Sequence, residues 1–169
     1  MPTPRSKRSR GMLLRPWFIV TIACLVYMLA VVASNDGNPL AIVTIGSDFA
    51  PANLYDDAFS EEGYDGQFVY YIARDFNSAE RYLDVPAYRF QRILLPFAGI
   101  VLSVGQESLI PYALMLINLI ALAGGTALLE HLLVQHNASR WYALGYGFAL
   151  GVFGSARLAL PETLAYALV

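Results

Sequence analysis

Sulfur and imidazole are nearly missing from this chain. Of its 169 residues, one is cysteine and two are histidine. With Cys24 alone, no internal disulfide and no cysteine-based metal site can form. Cys24 falls inside an apolar run and reads as a small buried thiol. His131 and His136 are five apart, which does not set them on one helical face for a metal. Charge is scarce as well: 14% of residues are charged, against about 25% in an ordinary soluble domain. There is no P-loop, no G-x-G-x-x-G after a strand, no H-E-x-x-H and no G-x-S-x-G. No internal repeat and no low-complexity segment occurs. Asn137-Ala138-Ser139 matches the glycosylation sequon, a pattern short enough to arise by chance.

What is present is apolar. The chain is 57% hydrophobic, with a mean hydropathy of +0.49, concentrated in long runs as in a polytopic membrane protein. Arg5, Lys7, Arg8, Arg10 and Arg15 crowd the N-terminus, whereas residues 35–92 hold ten acids against four arginines. That asymmetry places the N-terminus in the cytoplasm and the acidic stretch outside. The basic run has no aromatic interleaving, so it reads as a membrane flank and not as a nucleic-acid site.

Residues 1–15 are expected to be a cytoplasmic tail and 16–34 a first transmembrane helix, with Trp17 at headgroup level. A cleaved signal peptide, with Val31 and Ala33 before the cut, is the alternative. The apolar run of roughly 17 residues exceeds the usual core of about 7–15 and favours a retained anchor. Residues 40–45 are too short to span; they continue the first helix past a break or lie along the interface. Residues 63–77 could hold a short amphipathic helix, with Phe68, Tyr71, Ile72 and Asp75 at helical spacing. Residues 93–104, about 12, are short for a bilayer of roughly 30 Å and read as re-entrant or interfacial, or as a span that borrows polar residues. Residues 109–134 form a span, with Asn118 as interhelical hydrogen-bond glue and Gly124-Gly125 allowing close packing. Residues 141–160 form another, interrupted by Arg157, which can pair with Glu162 across the break at Pro161. Residues 164–169 stop without a polar flank, and the chain is expected to be cut within a helix. The predicted fold is all-α: an integral membrane protein of three or four membrane segments, with an external loop over 35–92 bearing short helices.

The loop carries the chemistry. Asp65, on a Gly-flanked turn, could take a proton from an attacking hydroxyl or help hold a divalent cation; turn formation or helix capping would also account for it. Arg89 and Arg92, three apart, share a helical face. They suit a lipid-linked phosphate or ordinary snorkelling towards headgroups.

Taken together, G-Y-D-G-Q-F-V-Y-Y-I-A-R-D, Y-R-F-Q-R-I-L-L-P, R-W-Y-A-L-G-Y-G-F and L-P-E-T-L-A-Y-A-L resemble the N-terminal part of polytopic glycosyltransferases of the C-type fold. They are similar to the bacterial membrane proteins akin to the GPI mannosyltransferase family. The resemblance covers roughly residues 17–169. It implies a polyprenyl-phosphate sugar as donor and Asp65 as the catalytic carboxylate. It further implies Arg89 and Arg92 at the donor phosphate, Glu162 lining the same cavity, and Gln67 of the first motif as a further substrate contact. No D-x-D pattern lies near Asp65, which argues against metal dependence; no other cofactor is implied. The setting implied is a bacterial inner (plasma) membrane, with the bilayer and the lipid-linked donor as partners. The rival reading is a non-catalytic membrane subunit whose Tyr- and Arg-rich loop packs on a partner protein; a transporter fragment lacks matching broken helices. Topology links the sites. If 93–104 does not cross, 109–134 runs inward and 141–160 outward, and Glu162 returns to the face of Asp65. Arg140 after the long span favours that version.

Overall fold

A computed structural model describes residues 15–168 of the chain. The basic tail expected over 1–15 therefore lies outside the described residues except for Arg15, and so does Val169. Among the described residues the architecture is all-helical, with one isolated bridge between Gly46 and Ser60. The helices are α1 (Pro16–Ser34), α2 (Gly66–Arg74), α3 (Pro86–Phe90), α4 (Leu94–Ser103), α5 (Ile110–Gln135), α6 (Ala143–Gly147), α7 (Leu150–Arg157) and α8 (Glu162–Leu168).

Two helices are long and apolar enough to cross a membrane: α1, and α5 with the 3₁₀ turn before it. Pro16 starts α1 at a position where its missing N–H is no loss. The helix ends where Asp36 and Gly37 turn to φ 54° and 78°, and the Gly37 N–H caps Val32 O at 3.0 Å. Its 19 residues rise about 28 Å, close to a hydrocarbon core of about 30 Å. Within the helix, Val20, Cys24 and Met28 are buried, one every fourth residue, while Ile22, Val26 and Leu29 are exposed. An apolar helix that buries one narrow stripe leaves its other apolar faces for another apolar medium or partner.

Helix α5 is the central post; α1, α4, α6, α7 and α8 all pack on it. Gly125 permits the approach of α6 to α5 and Gly147 that of α6 to α1: a Cβ would come within 2.5 Å of the Tyr146 hydroxyl at the first and 2.6 Å of Val20 at the second. Asn118 does not form the interhelical bond expected of it. It is fully buried, and neither side-chain polar atom has a partner among the described residues.

Residues 141–160 do not form one continuous helix. A 3₁₀ turn (Arg140–Tyr142), α6 and α7 are separated by a break at Phe148 and Ala149. Gly145, Gly147, Gly151 and Gly154 explain it, because glycine weakens a helix by about 1 kcal/mol relative to alanine. The broken path still runs the length of the bundle. It starts at Arg140, beside Glu130, and reaches Leu158, against Gly66.

The loop folds into a cap. Residues 40–45 neither prolong α1 nor lie along a surface: Ala41, Ile42, Val43 and Ile45 are buried in the core with α2 above them. Helix α2 forms where the amphipathic spacing predicts, but the fold covers all of its sides: every residue from Gly66 to Ala73 is buried. Helix α4, 10 residues long, is short as expected and packs against α5. Gly66 docks α2. A Cβ there would stand 2.3 Å from the Leu158 carbonyl oxygen and 3.0 Å from that of Val43.

Gly66→Ala is therefore expected to destabilise the protein by about 1–3 kcal/mol, despite alanine's better helix propensity. Gly124→Ala, where nothing lies within 4 Å, is expected to be neutral or to stabilise by up to about 1 kcal/mol. Thermal unfolding of both variants in one detergent checks the opposite signs.

Candidate functional site

The N-terminus of α2 and the segment entering α4 bring the predicted residues together. Pro86 at the first position of α3 fixes the start of that short helix, and Asp84 precedes it. Arg89 then reaches two carboxylates at once. Its Nη1 and Nη2 donate to Asp65 at 2.8 and 2.9 Å. Its Nε and Nη2 donate to Asp84, both at 2.8 Å. The guanidinium lies 4.3 Å from the centre of the Phe68 ring, and the side chain is 11% exposed. Two bidentate pairs and an aromatic face leave it little capacity for a ligand. Hydrogen bonding to Arg89 is the main cause that pulls the Asp84 carboxyl below its ordinary value. The same pairs, Asp84 first, push the Arg89 guanidinium further up.

Arg92 is arranged differently. It pairs with Glu162 and with the Tyr88 hydroxyl, and its guanidinium lies 4.5 Å from the centre of the Tyr88 ring. Glu162 opens α8, which Thr163 ties back to α7 through its hydroxyl bond to Val152 O at 3.0 Å. The second oxygen of Glu162, Oε2, is buried and has no hydrogen-bond partner among the described residues. Arg92 and Glu162 line a cavity of about 390 Å³ whose other walls include Ile93, Leu94, Leu95 and Leu164. Asp65, Arg89 and Arg92 meet again around a small gap with Phe68, Ile72 and Pro161, closed to about 10 Å³.

Asp65, Arg89, Arg92 and Glu162 thus gather at one end of the bundle, from positions up to 97 apart in sequence (162 − 65). Gln67 does not join them. It is 1% exposed, and its amide accepts from Gly46 N at 3.0 Å and donates to Glu62 O at 2.9 Å, holding the loop's own backbone. Arg157 does not pair with Glu162. It donates to the Tyr27 hydroxyl at 3.3 Å and lies over that ring, because Glu162 is engaged by Arg92. Asp84 was missed in sequence; its place before V-P-A-Y-R, at the start of a short helix, was the signal. At the opposite end, the 1%-exposed Glu130 pairs with Arg15 at 2.7 Å and lies 3.8 Å from Arg140. An acid inside an apolar helix was the signal for that cluster. His131 bonds Gln135, and no group of three His, Cys, Asp or Glu side chains is arranged to hold a metal among the described residues.

No protein-family model, curated protein or solved structure matches this chain.

The Asp84 carboxyl sits below its ordinary 3.8 in the fold. Its contribution to stability is therefore complete above that pH and is lost as pH falls through the lower folded value. Arg89→Met is expected to destabilise by about 1–3 kcal/mol at neutral pH and to flatten the loss of stability on acidification below pH 3.8. Arg89→Lys is expected to recover only part, because an ammonium cannot form two bidentate pairs. Unfolding midpoints from pH 7 to about pH 3 measure both effects.

Proposed function

We propose that this chain serves a membrane glycosyltransferase of the C-type fold, moving a sugar from a polyprenyl-phosphate donor to an acceptor hydroxyl on the extracytoplasmic face of a bacterial inner membrane. The N-terminus is cytoplasmic in this reading. Helix α1, α5 and the broken path through α6 and α7 cross the bilayer, and α4 is re-entrant. The observation that carries the proposal is the cavity at Arg92 and Glu162. A guanidinium and an unpartnered carboxylate oxygen stand against apolar walls, at the same end as Asp65. A prenyl phosphate needs that combination: a fork for the phosphate, and apolar surface for the first isoprene units.

The chemistry is a single displacement. Asp65 accepts the proton of the acceptor hydroxyl, whose oxygen bonds to the anomeric carbon as the bond from that carbon to the phosphate oxygen breaks. Arg92, leaving Glu162 for the phosphate, meets the charge on the departing lipid phosphate. Glu162 Oε2 can then accept from a sugar hydroxyl. Arg89 does not bind the donor phosphate in this scheme, since both of its edges are engaged; it orients Asp65. A divalent cation is not required by these steps.

The closed gap beside Asp65 favours a second reading, a non-catalytic subunit in which the ion pairs hold a docking loop together. Asp65→Asn in the intact membrane-inserted protein separates the two. Transfer from a polyprenyl-phosphate sugar is expected to fall by about 10²–10⁴-fold, with insertion kept and the melting temperature lowered by no more than in Arg89→Met. Arg92→Ala is expected to lower kcat, since the charge on the departing phosphate is no longer met, and to raise KM for the donor as well. Unchanged transfer in Asp65→Asn, or loss of co-purifying subunits in its place, would overturn the transferase reading.

A further inference from the structure

One arginine on the apolar flank of the bundle has no carboxylate. Arg157 ends α7, and its guanidinium lies 5.1 Å from the centre of the Tyr27 ring. Tyr27 is seven residues short of the outer end of α1 (34 − 27) and eleven past its start (27 − 16). At a rise of about 1.5 Å per residue, the charge sits about 10 Å from one end of the helix and about 16 Å from the other. This depth rests on the reading that α1 crosses the bilayer.

An ionised group at such a depth is costly unless it is paired. Among the described residues Arg157 makes no ion pair. Its side chain donates to the Tyr27 hydroxyl at 3.3 Å. That partner is neutral and takes one of five guanidinium donors. Glu162, near it in sequence, is held by Arg92. Across residues 16–34 and 109–160 the sole acid is Glu130, which is with Arg15 and Arg140 at the other end.

The charge is also within reach from outside. Leu150, Phe153, Gly154 and Arg157 stand at i, i+3, i+4 and i+7, one stripe of α7, while the buried Val152, Ser155 and Ala156 face the bundle. Leu150 is 93% exposed, and a Cβ at Gly154 would meet nothing within 4 Å. Tyr27, itself exposed, touches Phe153, with ring centres 6.4 Å apart. The result is an apolar strip with a notch at Gly154, where a helix backbone can come close, and one positive charge beside it.

Charge complementarity selects the occupant. A headgroup phosphate would stand near the end of α1, about 10 Å from the guanidinium, too far to bond to it. A second copy of the chain would bring another arginine and no free acid at this depth. We propose that the α7 strip docks a transmembrane helix of another protein, whose Asp or Glu pairs with Arg157. Asp65, Arg92 and Glu162 take no part in this contact.

The test uses the full chain in phosphatidylcholine vesicles with polyleucine helices of about 20 residues that carry one Glu, Gln or Leu at mid-length. Energy transfer is read between a dye on the peptide and one at Asn137→Cys in a Cys24→Ala background. The Glu peptide is expected to bind about tenfold more tightly than the Leu peptide. Arg157→Leu is expected to abolish that preference and Arg157→Lys to keep part of it. Arg157→Gln, which keeps a polar side chain without the charge, is expected to behave as Arg157→Leu does. Equal binding of the Glu and Leu peptides, or a preference that survives both Arg157→Leu and Arg157→Gln, would overturn the proposal. So would an Arg157-dependent preference for phosphatidylglycerol vesicles with none among the peptides, which would assign the charge to a headgroup. Release of the chain from vesicles by alkaline carbonate would overturn the bilayer reading and the proposal together, whereas retention without a peptide preference overturns the proposal alone.

Discussion

Two acidic turns of the loop are held by one guanidinium. Asp65 and Asp84 would repel each other if brought near α2 without a cation between them. Arg89 supplies that cation in a form only arginine can, a planar group with two bidentate edges and a flat face for Phe68. Through it the start of α2, the turn before α3 and the approach to α4 become one unit. Arg92, three residues on, is thereby aimed at Glu162, and α8 joins the same end of the bundle. These five charged residues do not form a line along one helix. They come from three segments that share a face because Arg89 and the close approach at Gly66 leave them no other arrangement.

The bundle beneath is polarised. One end carries Arg15, Glu130 and Arg140; the other carries the acidic cap and the cavity at Arg92 and Glu162. Between them run apolar helices that bury only part of their apolar surface. Ion pairs confined to the two ends of an apolar stack fit a bilayer, where charge is tolerated at the interfaces and costly in between. Arg157 is the exception to that rule: it lies on the Tyr27 ring and hydroxyl, close to the middle of α1.

Much of this was legible in the sequence wherever one local rule dominated. Helix α1 is bounded by Pro16 and by the N-D-G-N turn, and its predicted limits match the observed ones. The short apolar run over 93–104 became the short helix α4. Other features depend on distant partners and could not be read locally. Burial on every face of α2 comes from Val43, Leu158 and the 3₁₀ turns around it, not from its own pattern. Gln67 carries a polar side chain in a motif with the look of a site, yet the Gly46 and Glu62 backbones claim it. Arg157 and Glu162 are near in sequence, but Glu162 pairs with Arg92 and leaves Arg157 to the Tyr27 ring and hydroxyl. Four glycines outweighed hydrophobicity over 141–160, where hydropathy alone reads one continuous helix.

The central claim is that Asp65, Arg92 and Glu162 face the outside of the membrane, across the bilayer from Arg15 and Arg140. Cysteine accessibility in intact cells measures this directly, because Cys24 is the sole native thiol and is buried. With Cys24 replaced by alanine, single cysteines at Tyr64 and at Asn137 are each exposed to a membrane-impermeant maleimide. Labelling at position 64 in intact cells, with position 137 labelled only after lysis, is the predicted result. Protection of position 64, or labelling of both positions from the same side, would contradict the account.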